Sequence, residues 1–87
     1  MGADAHFELF NEIAGLGSAR VRRYVMEHGL KADVRFRNVF YAEVVADLVE
    51  RGGSVERLPA LWDGEKLVEG AEAVMAKLAA WSDVGRT

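Results

Sequence analysis

The sequence predicts an α/β domain: a four-stranded mixed sheet with helices on both faces, in the order βαβαββα. Three observations predict it. Helical stripes at Val21, Tyr24, Val25, His28 and at Tyr41, Val44, Val45, Leu48 alternate with short apolar runs. A helix between two strands of one sheet implies a parallel pair with a right-handed crossover. Asp63-Gly64 separates Ala60-Leu61-Trp62 from Leu67-Val68, a two-residue hairpin signal that makes the last two strands antiparallel. Pro59, the only proline, cannot donate to a ladder and is expected to open the third strand.

Met1 to Ala5 reads as a loose start. His6–Phe10 is short, partly alternating and aromatic-rich, and reads as the first strand. Asn11–Gly17 is a loop, with Ser18 as the expected N-cap of the first helix. Arg20, Arg22 and Arg23 fall off the apolar stripe and read as a solvated face, with Arg23 placed to pair with Glu27. Gly29 is a C-terminal stop. Val34–Val39 alternates, with Val34 and Phe36 inward and Arg35 and Arg37 outward. That is the pattern of a strand with one wet face or a charge-guarded edge. Gly52-Gly53 ends the second helix. Ala71, Val74, Met75, Leu78 and Trp81 give the third, and 82–87 read as a tail.

Eighty-seven residues make one small domain over 1–87, with a core of about 6–81. A net charge of −3 argues against a nucleic-acid face. The absence of cysteine removes disulfides, thiolate metal sites and cysteine nucleophiles together. His6 and His28 are unpaired in sequence, with no cysteine and no close second histidine, so no metal is expected. No apolar run approaches the roughly 18 residues of a membrane span. The N-terminus lacks a basic stretch followed by an apolar one, so no signal peptide is expected and the cytoplasm is the default compartment.

Three segments carry a family resemblance. Phe7-Glu8-Leu9-Phe10 through Val21-Arg22, Leu58-Pro59-Ala60-Leu61, and Leu67-Val68-Glu69-Gly70-Ala71-Glu72 resemble, in order and spacing, parts of the thioredoxin fold. They are most similar to glutaredoxins and the N-terminal domain of glutathione transferases. The first segment resembles the strand, active-site loop and helix; the second the cis-proline segment; the third the stretch that caps the glutathione γ-glutamyl carboxylate. The resemblance implies a cis Leu58–Pro59 bond. It also aligns the family's Cys-x-x-Cys with Gly15, Leu16, Gly17 and Ser18. A thiolate at a helix start is what attacks a disulfide, and Gly15 and Ser18 supply none. A loop lysine that meets the glutathione carboxylate in glutaredoxins is Glu12 here.

The resemblance therefore implies a cysteine-free, non-redox binding module. It would hold a peptide or a glutathione-like thiol in a groove formed by Gly15, Leu16, Gly17, Ser18, Leu58, Pro59, Gly70, Ala71 and Glu72. A peptide would meet the Leu58 backbone as a strand meets a sheet edge. Glutathione would bind weakly, opposed by Glu12, and no cofactor is required. The alternative is a transferase-like enzyme in which Ser18 or helix-start amides polarise the substrate thiol. No catalytic residue, nucleic acid or membrane is expected, and the chain is expected to be a monomer or a weak homodimer.

Overall fold

The computed structural model describes residues 5–85. Strand β1 (Phe7–Asn11) leads into helix α1 (Leu16–Glu27). A 3-10 turn (Lys31–Asp33) precedes β2 (Val34–Asn38), followed by α2 (Ala42–Glu50). A second 3-10 turn (Val55–Arg57) precedes β3 (Ala60–Trp62), β4 (Leu67–Glu69) and α3 (Ala71–Gly85). The sheet order is β2-β1-β3-β4. β1 runs parallel to β2, with Leu9 opposite Phe36. β3 runs antiparallel to β1 and to β4.

Alternation along β1 divides the core. Phe7 and Leu9 pack with Val21 and Val25 of α1 and Val74 and Leu78 of α3. Phe10 packs with Val44 and Leu48 of α2 and with Ala60. Side chains that alternate across a strand thus bury both faces of the sheet. α1 and α2 close alike. Gly29 (φ 66) and Gly52 (φ 90) turn the chain out of the helix. The next amides, of Leu30 and Gly53, return to the carbonyls of Val25 and Leu48 at 2.9 Å, the Schellman arrangement.

Four expectations need correction. α1 begins at Leu16, with Gly15 as its N-cap, and Ser18 lies inside the first turn. A helix capped by the backbone of glycine leaves a serine side chain two residues inside free to bond elsewhere. In β2 the alternation is inverted in part: the Arg37 side chain is only 10% exposed, while Phe36 is exposed. Because α2 covers that face of the sheet, Arg37 is enclosed among Glu8 and Asp47, and Phe36 is left at the sheet edge. The β3–β4 connection is a four-residue loop, Asp63–Lys66, closed by Asp63 N–H to the Lys66 carbonyl at 3.1 Å. Its turn takes positive φ only at Gly64, because the Asp63 carboxylate bonds the N–H groups of Glu65 and Lys66, each at 2.8 Å. Finally, α3 runs on through 82–85 instead of fraying into a tail. His6 lies against it, stacked on Trp81 with ring centroids 4.0 Å apart.

Candidate functional site

The three segments singled out in the sequence meet at one rim of the sheet. A Cβ built on Gly17 would lie 3.2 Å from Pro59 Cδ, 3.6 Å from Ala71 Cβ and 4.0 Å from the Leu58 carbonyl oxygen. Gly17 thus brings the start of α1 against both the proline segment and the start of α3. The Leu58–Pro59 bond is cis, as expected. The Pro59 carbonyl accepts from Gly70 N–H at 2.8 Å, which extends the β3–β4 ladder to the start of α3. The Leu58 N–H and carbonyl have no hydrogen-bond partner among the described residues. They form an open backbone edge beside Gly17.

Two helix starts face this edge. Gly15 offers no side-chain cap to α1, so the amides of its first turn lack a side-chain acceptor among the described residues. Gly70, at φ 95, turns the chain into α3, and its carbonyl accepts from Val74 N–H at 3.0 Å. Glu72 reaches across to Arg20 at 3.8 Å, both side chains well exposed. Such a surface pair contributes little stability, and it places one charge of each sign at the rim.

Ser18 is not presented to this space. It is buried, and its Oγ accepts from the Glu12 N–H at 3.1 Å. The hydroxyl steadies the β1–α1 loop and has no open approach to a thiol. Gly15 has an ordinary extended φ of −76°. Its missing Cβ leaves room for Glu12, whose Cγ would stand 2.9 Å from a Cβ there.

Sequence reasoning missed two residues that shape the loop. Asn11 is buried at the end of β1, where Nδ2 donates to the carbonyls of Leu9 and Arg37 at 3.1 and 3.2 Å. Arg22 donates through Nη1 to Asn11 Oδ1 and the Glu12 carbonyl, both at 2.9 Å, and through Nη2 to the Ile13 carbonyl at 3.1 Å. The guanidinium fork suits several fixed acceptors at once. No short-range signal marks these residues, since the loop that joins them is closed only by folding.

Among the described residues, no group of three or more His, Asp or Glu is placed to hold a metal ion. Among the same residues, no helix is long and apolar enough to cross a membrane. The molecule is a small α/β domain whose mixed sheet carries an open backbone edge between two helix starts. Comparison with protein-family models, with curated proteins and with solved structures finds no match.

Proposed function

We propose that this chain is a thioredoxin-like, glutaredoxin-related binding module without redox chemistry, which takes an extended peptide against the Leu58 backbone. The observation that carries this reading is the contact of Gly17 with Pro59 and Ala71 beside the unpaired Leu58 amide and carbonyl. An extended segment gains two main-chain hydrogen bonds there, as in strand addition to a sheet edge. The element order, the sheet order and the proline at the opening of β3 support the fold assignment. The lack of cysteine supports the non-redox part. Glutathione is a poor ligand on this reading, since the carboxylate of Glu12 overhangs Gly15. The enzymatic alternative loses the Ser18 hydroxyl to Glu12 and keeps only backbone amides.

The test is an amide-spectrum titration with a mixed library of acetylated hexapeptide amides and, separately, with glutathione. Peptides should shift Leu16–Ser18, Leu58 and Gly70–Glu72. Glutathione should bind no tighter than about 1 mM. Reduction of a mixed disulfide by glutathione should keep its uncatalysed rate when the protein is added. Shifts confined to Val44–Arg51, on the opposite side of the sheet, would sink the proposal.

A further inference from the structure

Between the loops that follow β1 and β2 lies an open apolar hollow of about 270 Å³, lined by Glu12, Ile13, Ala14, Asn38, Val39 and Phe40. Ile13 is 72% exposed and Phe40 82%, and Leu16, next along the rim, is 84% exposed. Single exposed apolar residues are common. Ile13 and Phe40 differ because the loops that present them are firmly held, and Leu16 is fixed as the first residue of α1. Arg22 and Ser18 bond the backbone of Glu12 and Ile13. Asn38 Oδ1 accepts from Phe40 N–H at 2.9 Å, and the Phe40 ring meets Tyr41 edge-on at 5.4 Å. Large apolar groups kept in water by well-bonded loops mark a contact surface.

The hollow is smaller than the roughly 300–1,000 Å³ of small-molecule pockets, and it suits one large side chain. It adjoins the Gly15–Ser18 segment directly in sequence, and Val39 and Leu58 pack on the same core cluster. Glu12 is the only charged residue in the lining, and its carboxylate has no ion-pair partner among the described residues. The nearby Arg22 guanidinium is already engaged by Asn11 and two carbonyls.

We propose, building on the binding reading above, that the peptide anchors here through a large apolar side chain, with an adjacent lysine or arginine meeting Glu12. A second copy of the chain fits less well. A two-fold interface centred on this hollow would bring two Glu12 carboxylates together in a protein of net charge −3.

The probe is acetyl-Gly-Gly-Phe-Lys-Gly-Gly-amide, compared with versions carrying alanine for the phenylalanine or glutamate for the lysine. The first should shift Ile13, Ala14 and Phe40 together with Leu58. Loss of the phenylalanine should weaken binding about tenfold or more. Glu12→Gln should narrow the gap between the lysine and glutamate peptides, and Phe40→Ala, at an exposed position, should weaken binding in a protein that still folds. Shifts at Leu58 and Gly70–Glu72 without Ile13 or Phe40 would overturn the anchor and leave the groove standing. Shifts at Ile13 and Phe40 without Leu58 would support the anchor and remove the groove. Equal affinity for the three peptides, no shifts with the phenylalanine peptide at about 1 mM, or concentration-dependent shifts at Phe40 in the protein alone would each overturn the proposal.

Discussion

Adjacent glycines at the end of α2 are present for different physical reasons. Gly52 needs its backbone freedom: φ is 90°, and nothing lies within 4 Å of a Cβ built there. Gly53 needs the space. A Cβ on it would press on the Leu48 side chain and lie 2.7 Å from Leu67 Cδ2, and Leu48 is fully buried. Gly53→Ala is therefore an overpacking change, expected to cost about 1–3 kcal/mol and to lower Tm by roughly 4–8 °C per kcal/mol. Gly52→Ala strains the backbone and is expected to cost about 1 kcal/mol. Leu67→Ala should recover part of the loss in the Gly53 variant and none in the Gly52 variant. Equal recovery in thermal melts would mean that both glycines answer to φ alone. In the sequence the pair reads as one stop signal, and that much is right. The division of labour is invisible there, because Leu67 comes against Gly53 only when β4 is in place. Arg37 teaches the same lesson: its alternation is readable, but which face is wet depends on where α2 settles.

At the scale of the element, the β1–α1 loop is held by side chains of the helix it leads into. Local strand and helix signals locate this loop in the sequence, while its expected place beside Leu58 and Gly70–Glu72 comes from the family resemblance and not from those signals. The sequence does not show what holds the loop. Arg20, Arg22 and Arg23 look equivalent off the apolar stripe. Arg20 and Arg23 indeed make exposed pairs with Glu72 and Glu27, whereas Arg22 turns back over the loop to three acceptors. Arg22→Ala leaves Asn11 Oδ1 without its charged donor at a buried position, and it is expected to cost about 2–3 kcal/mol. Arg22→Lys should restore less than half of that, since an ammonium cannot span the fork of acceptors. Arg20→Ala should stay within about 0.5 kcal/mol of the parent. Denaturant melts give the three energies. Amide exchange gives the locality: the Glu12 N–H, bonded to Ser18 Oγ, should exchange faster in the Arg22→Ala variant while the amides of β3 do not. Uniform acceleration across the sheet would show that Arg22 supports the whole fold and not the loop.

Across the whole molecule, carboxylates join elements distant in the chain. Glu8 on β1 bonds Arg37 on β2, and it takes Arg51, beyond α2, at 2.7 Å. Arg37 also bonds Asp47 on α2 at 2.7 Å. Asp63, in the β3–β4 loop, takes Lys77 of α3 at 2.8 Å. Burial pushes the Glu8 carboxyl up, but the hydrogen bonds from Arg51 and Arg37 outweigh it and hold the pKa below its ordinary 4.5. The hydrogen bond from Arg37 lowers Asp47 below 3.8. Asp63 is held well below the usual carboxylate range, by Lys77 first and then by the amides of Lys66 and Glu65. A depressed folded-state pKa gives stability that is fully present above the unfolded value. As pH falls, the unfolded chain takes up these protons first, near 4.5 for Glu8 and 3.8 for the aspartates, and stability drops until the folded-state values are passed. Tm should therefore hold steady from about pH 7 to about pH 5 and fall steeply below about pH 4.5. Glu8→Gln leaves Arg37 and Arg51 beside a neutral amide, so its Tm should be lower at neutral pH. Its acid limb should be shallower, and the two curves should approach each other as pH falls below the ordinary carboxyl value of 4.5 and the parent loses the contribution of the Glu8 charge. Glu27→Gln, which removes an exposed partner of Arg23, should follow the parent throughout. Added salt should shift the Glu8 comparison little, because screening acts weakly on partly buried pairs. A constant gap between the parent and Glu8→Gln curves from about pH 7 to about pH 3 would mean that the Glu8 carboxylate contributes through packing, and that its charge does not hold α2 to the sheet.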